Sequence, residues 1–439
     1  MLVLNLYLED NILYDILSFF SLEQAERAMK LTTMRRIDKI IGQPVCFVLS
    51  WFYWLFGRLL YRCHHLDGQR CVLFIELSEM GSTILASQAI QRVSSDNPSH
   101  PPCFVIFKKN VEGLRLLNLF KDANIFTIRD DSIASLVVDS FRFMLFCRAR
   151  GIDTAIDLEL FTRVSSILSL ISCAGTRVGF YNFFAEGLYR GDHLTHRVQY
   201  NPYYHMSQNF MALVESLEED PTDVPMVKRA IPLLPMTCRV PVSHTEYDYM
   251  RNELGKFVDL SQQPILVLFN HDAGELLPIR SWPTGHFAEL ARLLLNWDSR
   301  VIVVLVGIES AMESAHEIIK KVDDKRCVSF VGCTRTILDL VQLFHQSSLL
   351  VTNDSGPAHF ASLTEIPSIT LFGPETPQLY GPLGKNKINL FKGLACSPCL
   401  TAFNHRNSPC KNNICMQQIL PTEVFEIAFK LLSLKFVEK

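Results

Sequence analysis

The sequence predicts an α/β protein built from two doubly wound parallel sheets facing a cleft, with a helical extension in front. Three observations carry this expectation. Strand-like and helix-like apolar runs alternate from about residue 70 to 180, and again from about 265 to 372. A polar, proline-containing zone from about Glu218 to His244 breaks that rhythm, as an interdomain passage would. The 439 residues also exceed what one ordinary core organises. The division expected is 1–68 helical, 69–235 for the first lobe and 245–439 for the second.

Residues 1–68 lack a strong turn cluster until His65-Leu66-Asp67-Gly68 and read as mainly helical. Strands are then predicted at Val72–Leu77, Cys103–Phe107, Ile125–Ile128, Thr154–Leu158 and Arg177–Phe180. Helices are predicted at Thr83–Val93 and Ile133–Arg148. In the second lobe the strands are Ile265–Phe269, Val301–Val306, Val328–Val331, Ser348–Thr352 and Ser368–Phe372. Its helices are His286–Trp297, Ala311–Val322, Ile337–His345 and Ala358–Leu363. Two such lobes place a ligand cleft at the carboxyl ends of their strands.

Composition narrows the class. The chain is 48% apolar and 20% charged, which suits a large buried core. A formal net charge of -3 argues against nucleic acid as a partner. The 13 cysteines are odd in number and scattered through core-like segments, a usage that points to a reducing, cytoplasmic compartment. No secretory signal is expected at the start. Pro44 to Gly57 is uncharged and dense in aromatics, with Arg35, Arg36 and Lys39 before it and Arg58 and Arg62 after. It falls short of the roughly 20 apolar residues of a membrane span. Two readings stay open: a helix buried on the first lobe, or one lying peripherally in a membrane interface.

The most informative stretch is Val351-Thr352-Asn353-Asp354-Ser355-Gly356-Pro357-Ala358-His359-Phe360-Ala361, followed by the strand that ends in Leu371-Phe372-Gly373-Pro374. It reads as strand, tight turn, helix start, strand. Pro357 suits the first helical turn, where its missing N–H costs nothing. Backbone N–H groups at such a turn form a seat for phosphate, flanked here by a carboxylate and an imidazole.

These residues resemble glycosyltransferase family 9, which includes the bacterial heptosyltransferases of lipopolysaccharide core assembly. Tyr380-Gly381-Pro382-Leu383-Gly384, Asn270 to Gly274, Arg280-Ser281-Trp282-Pro283, Asp157-Leu158-Glu159, Arg177 to Phe180 and the cysteine-rich tail from Cys396 to Met416 extend the likeness in order. It covers about residue 70 to the end. The resemblance implies a GT-B architecture of two Rossmann-like domains, acceptor on the first and nucleotide-sugar donor on the second. It implies inverting transfer without a metal or other cofactor. The expected donor is ADP-heptose, and the expected acceptor is a lipid-linked saccharide such as lipopolysaccharide core, met at the inner face of the cytoplasmic membrane.

By the same resemblance Ser355 and Gly356 hold the donor diphosphate, Asp354 faces its sugar or braces the turn, and His359 donates to a phosphate. Arg280 stands where the family usually has a phosphate-binding lysine, and an arginine can clamp phosphate bidentately. Glu309, after a strand and Gly307, is placed to accept hydrogen bonds from a nucleotide. The departure lies in the first-lobe loop Leu77-Ser78-Glu79-Met80-Gly81-Ser82. There Ser82 replaces the aspartate that the family uses as its proposed base. A serine is too weak a base to substitute unaided. Glu79 is the replacement candidate and Glu76 the second choice, with Gly81 and Ser82 lining the cleft.

Two other readings stay open: a nucleotide-sugar-binding protein impaired in catalysis, and a nucleotide-sugar epimerase of similar architecture. Cys396, Cys399, Cys410 and Cys415 are either reduced packing residues or a structural zinc set.

Overall fold

The computed structural model describes residues 38–60, 70–184, 187–274 and 277–437. Much of the expected helical extension, residues 1–37 and 61–69, lies outside them.

Two six-stranded sheets form the frame, and every strand pair in both is parallel. The first contains β1 (Val72–Ile75), β2 (Cys103–Phe107), β3 (Ile125–Ile128), β4 (Thr154–Asp157), β5 (Thr176–Phe180) and β6 (His196–Val198), in the order β3-β2-β1-β4-β5-β6. The second contains β7 (Ile265–Asn270), β8 (Val301–Val306), β9 (Cys327–Ser329), β10 (Leu349–Asn353), β11 (Ser368–Phe372) and β12 (Lys387–Phe391), in the order β12-β11-β10-β7-β8-β9. Both sheets thus follow one doubly wound plan, and each has a single point where strand order reverses. Those points lie between β1 and β4 and between β7 and β10, where such sheets bind ligands. Strands covered by helices on both faces are apolar throughout, as in Val301-Ile302-Val303-Val304-Leu305-Val306.

Among the described residues, the helices that position the site or flank it are α1 (Gln43–Leu60), α2 (Met80–Leu85), α3 (Ser87–Asp96), α4 (Ile133–Arg150), α5 (Val164–Ile171), α6 (Thr284–Trp297), α7 (Met312–Val322), α8 (Gly356–Ala361) and α9 (Pro421–Val437). The single helix expected over Thr83–Val93 is two helices that meet at Ala86. The apolar period of Ile84, Leu85, Ala89, Ile90 and Val93 runs unbroken across the joint, so periodicity alone could not reveal it. Helix α2 starts directly after Glu79, three residues earlier than expected.

Three apolar clusters fill the molecule. One covers the outer face of each sheet. The third is continuous from Phe74, Phe104 and Phe210 in the first lobe to Leu268, Val304 and Phe372 in the second. The lobes are therefore packed together. Polar ties add to this: His205 Nε2 lies 2.9 Å from the Gly381 carbonyl, Gln378 donates to the Tyr203 carbonyl at 2.8 Å, and Val240 N–H donates to the Leu363 carbonyl at 3.0 Å. Among the described residues no helix is long and apolar enough to cross a membrane.

Candidate active site

The second-lobe corner is assembled from the ends of β7 and β10. The Asn353 side chain accepts from the Trp282 N–H at 2.9 Å and donates to the His271 carbonyl at 2.9 Å. Asn270 donates to Thr352 Oγ1 at 3.1 Å and to Ser355 Oγ at 3.0 Å. These amide side chains lash three loops into one floor. Trp282 is buried beneath it and donates from Nε1 to the Ile419 carbonyl at 2.9 Å. Ser355 precedes α8 in extended conformation, and no side chain caps the helix there.

Arg280 reaches across this floor to Asp354, Nη1 to Oδ2 at 3.4 Å, and its buried Nε has no partner among the described residues. A buried guanidinium donor left open costs free energy unless something accepts from it. Burial raises the Asp354 carboxyl, although Arg280 and Arg406 pull it down. His359 is buried, and its Nδ1 has no partner among the described residues. Burial first, then the neighbouring imidazole of His205, push it down to about 4, so it is neutral at pH 7.

The first-lobe cluster forms at the ends of β1 and β4. Glu159 accepts from the Leu77 N–H at 3.1 Å, the Ser78 N–H at 3.0 Å and the Ser78 hydroxyl at 2.7 Å, and so shapes the loop that carries Glu79. Glu76 is buried and accepts from the Glu79 N–H at 3.3 Å. Burial and the adjacent Glu159 raise its carboxyl well above the ordinary range, which keeps it protonated against Glu159. Glu79 itself accepts from the Ser82 hydroxyl at 3.0 Å and is ion-paired with Arg406. Burial would raise its carboxyl, but the Arg406 charge and the Ser82 hydroxyl outweigh that and hold it below 4.5.

The two clusters meet. Gly81 lies so close to the His359 ring that a Cβ there would come within 2.6 Å of Cδ2. Arg406, from the tail loop of the second lobe, inserts between Glu79 and Glu375, with Nε 2.8 Å from Glu375 Oε1. Its guanidinium stacks 4.2 Å from the Phe161 ring centroid and 5.0 Å from that of Tyr380. Burial, only partly offset by Arg406, pushes Glu375 up to about 7.

The expected residues Glu79, Gly81, Ser82, Arg280, Asp354, Ser355, Gly356 and His359 therefore surround one interlobe contact. Glu309 does not join it. It is exposed in the turn after β8, whose Ala311 carbonyl lies 3.2 Å from His271 Nε2. Arg406 and Glu375 were missed by sequence reasoning. Glu375 directly follows the Gly373-Pro374 pair, and Arg406 lies between the tail cysteines, so proximity to those motifs was the available signal. Cys396, Cys399 and Cys410 lie near enough to Cys415 to add to the burial that raises its thiol, and among the described residues no group of three or more His, Cys, Asp or Glu side chains is arranged to hold a metal ion.

Beside this network a cavity of about 310 Å³ opens at the ends of β5 and β6. Tyr181, Arg190, Tyr200 and Tyr203 line it from the first lobe and Phe403 from the tail loop. Tyr200 and Phe403 meet edge to face at 6.0 Å. A recess of about 10 Å³ between Glu76, Glu79, Ser82, Glu159 and Tyr380 adjoins it through Leu160.

Two Rossmann-like lobes with polar clusters at both reversal points define a protein of GT-B architecture. The likeness to solved structures agrees. The chain superposes on the E. coli ADP-heptose lipopolysaccharide heptosyltransferase II with a TM-score of 0.64 at 20% identity, over 83% of this chain and 99% of that one. The chain belongs to glycosyltransferase family 9, because the family model "Glycosyltransferase family 9 (heptosyltransferase)" matches residues 142–408. Lipopolysaccharide heptosyltransferase 2 of Escherichia coli is 32% identical over 145 residues, 32% of this chain and 39% of that protein. Its Salmonella typhimurium counterpart is 34% identical over 112 residues, 25% of this chain and 31% of that protein. These matches span well under half the length of either relative.

Proposed function

We propose that this protein is an inverting, metal-independent glycosyltransferase that moves a heptose from ADP-heptose to lipopolysaccharide core or a related lipid-linked saccharide. It would work at the cytoplasmic face of the membrane. One observation carries the reading: the Glu79 loop from one reversal point lies directly against His359 from the other, within reach of the charge of Arg280, which pairs with Asp354 there. The acceptor sugar would occupy the aromatic cavity, with Tyr181, Tyr200, Tyr203 and Phe403 offering ring faces to it. The donor diphosphate would sit over Ser355 and Gly356, with the open Nε of Arg280 and its charge answering the phosphates. Neutral His359 would donate a hydrogen bond there without adding charge, and Glu309 would meet the nucleoside edge.

In the reaction, the acceptor hydroxyl oxygen bonds to the anomeric carbon while the bond from that carbon to the diphosphate oxygen breaks. Glu79 takes the hydroxyl proton. Its carboxyl is already ionised, and it becomes a stronger base when substrate displaces Arg406. Because the lobes touch at Gly81 and His359, donor access requires them to part. The test is Glu79→Gln assayed for ADP release and for product. Turnover should fall by a factor of about 10² or more with ADP affinity retained. Unchanged turnover excludes Glu79 as the base.

The ion pair that Arg406 makes with Glu79 favours one second reading, a nucleotide-sugar-binding protein whose base is held out of use. A wild-type protein whose melting temperature rises with ADP-heptose, yet which transfers nothing to any core acceptor, would establish it.

A further inference from the structure

Helix α1 is amphipathic in the reverse sense. Its inward edge is Cys46 and Ser50, both buried, with half-buried Tyr53 one turn further on. That edge makes the polar contacts: Ser50 accepts from the Asp192 N–H at 2.8 Å, and the Tyr53 ring lies 4.4 Å from the Arg177 guanidinium. Its outward face is apolar. Trp54 is 78% exposed, Phe47 66% and Trp51 59%, and Val48, Phe52, Leu55 and Phe56 are exposed with them. A helix that borders only water would place these the other way round.

Helix α4 repeats the arrangement. Phe143 and Cys147 face the core, as does Asp139, which is paired with Arg129 at 2.9 Å. Val137 is 62% exposed and Phe141 59%, and Ile133, Val138 and Leu145 join them along one stripe. Both α1 and α4 pack against α5, so the two apolar faces flank the same helix. The exposed charges of α4 are Arg142, Arg148 and Arg150, with no exposed acid among them, and α1 contains no acidic residue at all.

We propose that the outward faces of α1 and α4 form one docking surface for an anionic lipid bilayer, seated at headgroup depth. Two tryptophans and several phenylalanines beside exposed arginines suit the interface between headgroups and acyl chains. The exposed arginines of α4, although Asp131 is exposed just before the helix, fit an anionic surface better than they fit a second copy of the same cationic face. The surface also leads to the cavity. Asp38, just before α1, pairs with Arg163 at 2.9 Å, and Arg163 Nε donates to the Tyr189 carbonyl at 2.8 Å. Leu188 and Arg190 on either side of Tyr189 line the cavity. A docked α1 would thus hold the cavity mouth beside the lipid surface, the one link that rests on the acceptor proposed for that cavity.

The test uses the full chain and vesicles of three parts phosphatidylethanolamine to one part phosphatidylglycerol, against vesicles of phosphatidylcholine alone. Wild-type protein should sediment with the anionic vesicles and blue-shift its tryptophan emission. Trp54→Glu and Phe141→Glu should each weaken binding roughly tenfold or more, because each places a charge in the apolar face. Both side chains are exposed, so melting temperature should not change. Equal binding by Phe141→Glu and wild type overturns the two-helix surface. So does wild-type protein that ignores the vesicles, whether a second copy or residues 1–37 cover the helices; sedimentation equilibrium identifies the former. Vesicle binding without any thermal response to ADP or ADP-heptose supports the surface and refutes the transferase reading.

Discussion

Glu375 offers the most quantitative check on the interlobe network. Burial, against the pull of Arg406, lifts its carboxyl from the ordinary 4.5 to about 7. Between those values the folded protein binds a proton that the unfolded chain has released. Stability must therefore fall as pH rises through this window. Each pH unit is worth about 1.4 kcal/mol, so the ionised side chain costs about 3 kcal/mol at pH 8 relative to a neutral one. Glu375→Gln imitates the protonated form. It should nearly match the wild type at pH 5 and exceed it at pH 8, the gap growing by roughly 2–3 kcal/mol. Urea unfolding followed by tryptophan emission at several pH values reads this directly. A constant gap would mean that Arg406 fully offsets the burial, and a gap that comes to favour wild type at pH 8 would mean that the sign is the reverse.

Glu79 should behave in the opposite sense: its carboxyl is held low, so its stabilisation is present at neutral pH and lost on acidification, and Glu79→Gln should lower the urea midpoint at pH 7 by an amount that shrinks as the pH falls below 4.5. Gly81→Ala brings a Cβ to 2.6 Å from His359 Cδ2 and should destabilise by about 1–3 kcal/mol. Adding His359→Ala should recover most of that loss, and a double-mutant cycle by thermal melting measures the recovery. Trp282→Phe removes the bond to the Ile419 carbonyl under the Asn353–Ser355 corner and should cost about 1–3 kcal/mol, with weaker ADP binding by calorimetry if the proposed donor site is correct.

Much of this architecture was legible because the parallel strands are buried on both faces. Continuous apolar runs such as Ile265–Phe269 and Val301–Val306 announced themselves, and their observed bounds differ by a residue at most. Short or half-exposed elements escaped. Strand β6 is only His196–Val198, and its alternating burial leaves too few apolar positions to register. Helix α5 is interrupted by Ser165, Ser166 and Ser169, which are buried because His193 and the Arg190 carbonyl satisfy two of them. At the candidate site, Glu79, Arg280 and Asp354 were nominated through the turns that carry them. Arg406 sits in an irregular loop with positive φ, and its partners lie 31 and 327 positions away in the chain. Only folding brings that guanidinium to Glu79, so no local pattern could have nominated it.

The apolar cluster shared by both sheets sets a condition on turnover. If the cleft admits a nucleotide sugar as proposed, separating the lobes wets part of that cluster and breaks the contact of Gly81 with His359. Water contact on such surface is unfavourable in proportion to its area. An open form would then be a minority species at rest, and the affinity for the proposed donor would be reduced by its population. Capture of the proposed donor should consequently be slower than diffusion allows, and a substitution that weakens the apolar contact between the lobes would tighten binding without touching a single contact to the ligand.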